Sequence, residues 1–280
     1  MRSLLRYPGS KAKLAREIIT RFPMKPELWS NPSQWEYREP FFGAGAVGLN
    51  VLKGLDRRCR VWLNDIDPGI AALWEAVLSN PSELIQRIAM FEPSAQLFSR
   101  FKETDGCPCG DVVERGFRKL ALHRMSFSGL GAMSGGPLRE VSSRWNPEQI
   151  KCEVSLVHER LARFDSLRIT CLDFAKVLRD AGPRCFMYCD PPYIAKGAQL
   201  YKHSMSEGDH ARLARLLKDC KAHWVLSYDD HPLVRSLYPD ARIEPVSLAY
   251  TVAASKGTRR TSEETIVVPK TADELREIAA

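Results

Sequence analysis

Apolar positions along this chain recur with two different periods, and the change of period divides it into three stretches. Short runs with strand character lie at 35–39 and 60–64, and again at 167–171, 184–189, 223–228, 243–249 and 265–268. Between them the spacing is helical. Ser10 can cap a helix over 11–21, with Leu14, Ile18 and Phe22 along one face. Another helix opens at the end of a glycine-rich run and continues to about Lys53. From 68 to 164 the period is almost entirely helical, with helices expected at 70–78, 82–90, 112–123 and 147–164. Asn146-Pro147 marks the start of the last of these, a cap followed by proline at the first helical position. A loop rich in glycine and serine, 125–145, precedes it. Alternation then resumes, with helices expected at 174–179, 207–220 and 231–237. Ser206-Glu207-Gly208-Asp209 forms an acidic capping box before the second.

Strand, glycine loop, helix and strand are the opening of a doubly wound α/β sheet. The expected architecture is therefore one sheet split by a helical insertion. Residues 1–67 form its first part, 68–164 the insertion and 165–280 its second part.

Composition narrows the class only a little. Of 280 residues, 44% are hydrophobic and 27% charged, ordinary values for a globular chain. The net charge of +7 favours a polyanionic partner. No run of about 18 apolar residues is present, and the first residues lack the apolar core of a signal peptide. A cytoplasmic protein with reduced cysteines is expected. Cys107-Pro108-Cys109 is too closely spaced for a zinc pair and has no matching second pair, so no metal site is expected.

Chemistry concentrates at loops that follow strands. Asp190-Pro191-Pro192-Tyr193 follows the apolar run 185–189. Each proline lacks an N–H and has a fixed φ, so the loop is stiff and holds a carboxylate, free carbonyls and an aromatic face in fixed relation. A planar substrate with an edge amino group, such as a nucleobase, suits it, although a plain Pro-Pro turn would read the same way. Gly43-Ala44-Gly45-Ala46-Val47-Gly48 matches G-x-G-x-x-G, with Asp65-Ile66 ending the next strand about twenty residues on. That pair points to a ribose-containing cofactor without saying which. Glu39, just before Phe42-Gly43, is awkward beside a pyrophosphate and well placed to balance a cationic ligand. Lys11 could neutralise a carboxylate, and Tyr7 could pack on the cofactor. Asp173 is either an N-cap or the acceptor of a cofactor adenine amino group, with Phe174 beside it.

Taken in order, these segments resemble the Dam-type family of DNA adenine-N6 methyltransferases. The similar segments are Tyr7-Pro8-Gly9-Ser10-Lys11, Glu39-Pro40-Phe41-Phe42-Gly43-Ala44-Gly45, Asn64-Asp65-Ile66, Asp190-Pro191-Pro192-Tyr193, and Ser255-Lys256-Gly257-Thr258-Arg259-Arg260 followed by Glu263-Glu264. In the middle, Arg124-Met125-Ser126-Phe127-Ser128-Gly129 is similar to the family's recognition loop. The resemblance implies a Rossmann-like methyltransferase sheet with an inserted target-recognition domain. It implies S-adenosylmethionine as cofactor and double-stranded DNA as partner, with no membrane and a monomer that could pair on DNA. Tyr7, Lys11, Asp65 and Asp190 would contact or border the cofactor, together with the loop candidates Glu39, Phe42, Gly43, Gly45, Ile66, Asp173 and Phe174. Asp190, Pro191 and Tyr193 would carry catalysis. DNA contacts are expected from Arg124, Ser126, Ser128, Arg139, Lys256, Arg259 and Arg260, with Arg124 or Arg139 reaching a base edge. Two departures stand out. Tyr7-Pro8 replaces the tryptophan and small residue of many members. Residues 131–145 do not match the GATC-recognising members closely, so the target sequence stays open. Three other readings compete: methylation of cytosine N4, a nicotinamide-dependent oxidoreductase and a catalytically silent DNA-binding module.

Overall fold

Successive residues of a strand face opposite sides of a sheet, and here that period of two sorts the apolar side chains into two cores. In the computed structural model the described residues are 4–5, 11, 14–21, 31–195, 197–250 and 260–270. Seven strands form one sheet: β1 (Glu36–Glu39), β2 (Arg60–Asn64), β3 (Leu167–Thr170), β4 (Cys185–Cys189), β5 (His223–Asp229), β6 (Ala241–Tyr250) and β7 (Arg260–Pro269). Their spatial order is β3-β2-β1-β4-β5-β7-β6. Strands β1 to β5 are parallel. β7 runs antiparallel to both its neighbours and makes a hairpin with β6, Tyr250 facing Arg260. This is the doubly wound α/β sheet expected from the chain's alternation.

One face carries Phe186 and Tyr188 of β4, Val225 of β5, and Ile266 and Val268 of β7. The other carries Cys185, Met187 and Cys189, then Trp224, Leu226 and Tyr228, then Val267. The second face is covered by α8 (Phe174–Leu178), α10 (Glu207–Lys218) and α11 (Pro232–Leu237), through residues such as Leu178, Leu213 and Val234. The first face is covered by α1 (Ala15–Ile19), α2 (Gly48–Gly54), α3 (Pro68–Ser79) and α7 (Pro147–Ala162). The remaining helices of the middle stretch, α4 (Pro81–Met90), α5 (Ala95–Glu103) and α6 (Val112–Met125), stack behind α3 and α7 in the same apolar cluster. Helices α3 and α7 thus serve the sheet on one side and the helical stretch on the other.

The starts of these helices are set by local chemistry. The Asp67 carboxylate accepts from Gly69 N and Ile70 N, with Pro68 in the first turn of α3. Asn146 caps α7 in the same way through Gln149 N. Ser206 and Asp209 form the reciprocal capping box of α10. Helix α5, which the sequence pattern did not separate from its surroundings, starts where Ser94 accepts from Leu97 N and buries Phe98 and Phe101. A short α9 (Gly197–Leu200) follows the proline loop.

Candidate active site

Strand order reverses between β1 and β4, and ligands of open α/β sheets bind outside the carboxyl ends of strands at such a point. Four loops meet there. The first leaves β1 at Glu39. Phe42 N donates to Asn64 O (2.8 Å) and Gly43 N to Asp65 Oδ2 (2.7 Å). Gly43 and Gly45 take φ of +48° and +68°, the left-handed region in which a side chain is strained. Trp74 of α3 closes the loop from behind, its indole N–H donating to Gly43 O (2.8 Å).

Gly48 is required for a different reason. A Cβ there would lie 2.0 Å from Glu39 Oε2. Glu39 therefore slides beneath the start of α2, is 2% exposed, and accepts from the Tyr37 hydroxyl (2.7 Å). Burial pushes its carboxyl well above the usual range; the Tyr37 hydrogen bond opposes this and the nearby Asp190 adds to it. Asp65 is also shifted. Burial, and then the charge of Asp67, push it up to about 7 although both its oxygens accept backbone N–H groups, from Gly43 and Asp67. Asn64 holds three loops in register. Its amide donates to Pro40 O and Leu172 O (2.9 Å each), and its oxygen accepts from Leu172 N (2.9 Å) and the Thr170 hydroxyl (2.7 Å).

The fourth loop leaves β4 at Asp190. The Ser227 hydroxyl of β5 donates to Asp190 Oδ1 (2.7 Å) and is itself paired with the Tyr188 hydroxyl (2.8 Å). Ile194 N and Ala195 N donate to the two oxygens of Asp229 (3.0 and 3.1 Å), which pins the far end of the proline loop to β5. Lys11 enters from the N-terminal segment. Its ammonium donates to the Tyr193 hydroxyl (2.9 Å) and to Glu264 Oε2 (3.0 Å), and stands 3.4 Å from Asp190 Oδ1. Burial alone would lower its pKa; the carboxylates of Asp190 and Glu264 outweigh burial and raise it.

These loops enclose a cleft of about 420 Å³. Among the sequence-derived candidates, Lys11, Glu39, Phe42, Gly43 and Asp65 line it, as do Ile66, Asp173, Phe174 and Asp190. Gly45 shapes the turn from beneath, where an added Cβ would strike Phe42 and Trp74. Pro192 lines the cleft, whereas Pro191 and Tyr193 stand beside it. Tyr7 lies outside the described residues. Lys11 lines the cleft with its ammonium engaged by the carboxylates of Glu264 and Asp190. Asp173 caps α8 through Ala175 N (2.9 Å) and pairs with Arg212 (2.7 Å), whose guanidinium stacks over Phe174 at 4.3 Å. Arg212, Tyr201, Lys202 and His203 also line the cleft and were not singled out from the sequence. They arrive from α10 and from the segment after the proline loop, which no local pattern marks.

The proposed DNA contacts separate into three groups. Two are corrected. Arg124 is buried, donating to Leu4 O (3.0 Å) and pairing with Glu153 of α7 (2.6 Å), so its guanidinium joins two helices and does not reach a base edge. Ser126 is also buried; its hydroxyl donates to His123 O (2.9 Å) and accepts from Gly131 N (2.9 Å). Ser128, at φ +55°, and Arg139 are exposed on the turn. Lys256 and Arg259, and the side chain of Arg260, lie outside the described residues. His123 holds the turn from below through Gly129 O (3.0 Å). The sulfurs of Cys107 and Cys109 lie side by side, and the other six cysteines are free. Among the described residues no cluster of three metal-ligating side chains occurs, and no helix is long and apolar enough to cross a membrane.

Comparison with known proteins agrees with this geometry. The family model of the D12 class N6 adenine-specific DNA methyltransferase matches residues 7–252. The Type II methyltransferase M1.LlaDCHI of Lactococcus lactis subsp. cremoris is 26% identical over 282 aligned positions, covering 95% of each chain. The DNA adenine methylase of Salmonella typhi is 24% identical, again covering 95% of each chain. That of Escherichia coli is 24% identical, covering 96% of this chain and 95% of its own. A match that runs over nearly the whole chain, on a sheet whose switch point carries the glycine loop, the acidic strand end and the proline loop, places this chain in the D12 class of N6 adenine-specific DNA methyltransferases.

Proposed function

We propose that the cleft at the β1–β4 switch point holds S-adenosylmethionine, and that Asp190, Pro191 and Tyr193 act on an adenine extruded from duplex DNA. The observation that carries the cofactor reading is the set of acidic groups in the cleft. Six carboxyl groups line it against three permanently charged basic side chains, and burial holds two of the six, Glu39 and Asp65, above the usual carboxylate range until a cation faces them. A pyrophosphate dianion would meet repulsion there, which disfavours a nicotinamide dinucleotide. A ligand with sulfonium and ammonium charges would instead offset the unfavourable burial of Glu39. Asp65, at the end of β2, is placed to accept ribose hydroxyls, and Phe42 and Ile66 supply apolar walls. When bound, S-adenosylmethionine supplies an electrophilic methyl group.

The chain's own residues supply position and polarity. An adenine stacked in a duplex cannot enter the cleft, so the base must be flipped out. The Asp190 carboxylate and Pro191 carbonyl accept its two amino hydrogens, which turns the nitrogen lone pair toward the methyl donor. The ring of Tyr193 stacks on the base, a contact of roughly 1–3 kcal/mol. The amino nitrogen held this way would release its proton to solvent after accepting the methyl group that the bound cofactor would supply. No strong base is needed, and the gain comes from alignment and electrostatics. Residues 68–164 and the β6–β7 hairpin would hold the duplex, most contacts going to phosphate. We propose a monomer that could pair on DNA.

Expression of wild-type protein and Asp190→Ala in a methylation-free host, with modified bases mapped across the genome, tests this. Wild type should yield N6-methyladenine at one sequence context. The variant should yield none while still folding and binding S-adenosylmethionine. A variant that methylates at the wild-type rate overturns the assignment.

A further inference from the structure

On strand β7 the residues Glu264, Ile266 and Val268 share one face, and all three are buried. An apolar residue at 264 would continue the pattern. A carboxylate there costs desolvation unless it is well partnered. Its two partners are both in the catalytic neighbourhood. Glu264 Oε1 accepts from the Tyr193 hydroxyl (2.7 Å) and Oε2 from the Lys11 ammonium (3.0 Å). Lys11 donates in turn to the same Tyr193 hydroxyl (2.9 Å), so the three side chains close a triangle. The ammonium also stands 4.4 Å from the centre of the Tyr193 ring.

The triangle bears on Asp190. Ser227 (2.7 Å) and Lys11 (3.4 Å) both address Asp190 Oδ1, which leaves Oδ2 for a substrate amino group. At 3.4 Å the Lys11 contact is the longest the ammonium makes with these partners, because Glu264 and Tyr193 draw it to the other side. Without the Glu264 charge the buried ammonium has one carboxylate left nearby, and it would close onto Asp190. There it would compete with the amino hydrogens that Asp190 must accept. The Tyr193 ring would lose its hydroxyl anchor in the same event.

We propose that Glu264 is a positioning residue for methyl transfer. It acts through Lys11 and Tyr193, fixing the stacking ring and keeping the Asp190 carboxylate available to the substrate. This rests on the catalytic roles proposed above for Asp190 and Tyr193.

The test is Glu264→Gln in the full chain, which keeps the shape and an acceptor for Tyr193 but removes the charge. The single-turnover methylation rate should fall by about tenfold or more, with Kd for S-adenosylmethionine and for DNA changed by less than about threefold. A purely structural role would instead lower the folded fraction and leave the rate per folded molecule intact. Tyr193→Phe keeps the stacking face and removes only the hydroxyl. It should slow the rate as well, and the double variant should be no slower than the slower single variant, because both break one triangle. Wild-type rates in Glu264→Gln overturn the proposal. If that variant does not fold, a wild-type rate in Tyr193→Phe overturns it. Asp190→Ala run alongside separates the two readings. An inactive Asp190→Ala with a fully active Glu264→Gln sinks this proposal alone, whereas an active Asp190→Ala sinks the catalytic assignment beneath it.

Discussion

The carboxyl rim of the parallel strands and the turn after α6 are both rich in glycine, and they use it in opposite ways. At the rim, glycine lets polar groups approach and lock. Gly43 donates to Asp65, Gly48 clears room for Glu39, and Asn64 ties three loops through four hydrogen bonds. In the turn, Gly129 and Gly131 at φ of +75° and +58° reverse the chain so that Phe127, 63% exposed, and Arg139 face solvent. The rim holds groups whose positions are set before any ligand arrives. The turn presents groups that only a ligand could cover. Arg124 and Ser126 lie next to the turn in sequence but belong, by their burial, to the first kind.

The strongest way to break that division is Arg124→Met. If Arg124 is a structural link, removing it leaves Glu153 buried without its charge partner, only the Gln149 amide still donating to it. Loss of one partner of such a pair costs about 3–5 kcal/mol. Urea denaturation should show a loss of this size, with the methylation rate per folded molecule nearly unchanged. A stable variant with altered sequence preference would return Arg124 to the recognition surface.

Gly48→Ala probes the rim. The added Cβ would meet Glu39 Oε2 at 2.0 Å and Phe42 Cε2 at 2.7 Å, both in packed surroundings. Overpacking of this kind costs about 1–3 kcal/mol. Weaker S-adenosylmethionine binding should accompany the lower denaturation midpoint. A variant with wild-type stability and affinity would mean that Glu39 has room to move, and that the rim is not set in advance.

Much of the rim was readable in one dimension, and the reason is physical. A parallel strand buried on both faces must be an apolar run, and the residue after it must be a turn, so Asp190 and Asp65 announce themselves. Both are where the pattern places them, at the ends of β4 and β2. The partners that tune them are a different matter. Ser227 lies 37 residues from Asp190, and Glu264 lies 253 residues from Lys11. No spacing rule connects such pairs; only the strand order does. The same limit explains Arg124. Its motif context was visible, but its partner sits 29 residues away on another helix, and burial is a property of that packing. Glu264 was quoted within a resemblance and given no role, because alternation marks it only as an inward position.

A smaller effect concerns pH. The Asp65 carboxyl is pushed up to about 7, burial first and Asp67 second. An unfolded Asp titrates at about 3.9. A folded pKa above the unfolded one means that this group's contribution to stability is complete below about pH 4, and is lost as pH rises through about 7. The ligand-free protein should therefore lose thermal stability between these limits, other groups held equal. Ribose hydroxyls donate to the carboxylate form, so S-adenosylmethionine should bind more tightly at pH 8 than at pH 6, with proton release. Calorimetric titrations in buffers of differing ionisation enthalpy measure that release. Asp65→Asn should flatten both trends; equal pH dependence in the variant would remove Asp65 from the cofactor site.

The smallest effect sharpens the other side of the comparison. Arg139 is exposed on the turn, so Arg139→Ala should change stability by no more than about 0.5 kcal/mol. If the side chain contacts phosphate, DNA affinity should weaken for every sequence alike, and the slope of log K against log salt should drop by about one. If it reads a base edge, the loss should concentrate at one position of the target and relax discrimination there by about 1–3 kcal/mol. Fluorescence anisotropy over a salt series, on cognate and singly altered duplexes, separates the two outcomes. No change in either quantity would show that exposure on this turn does not bring a residue to DNA. The duplex would then have to be sought away from this turn.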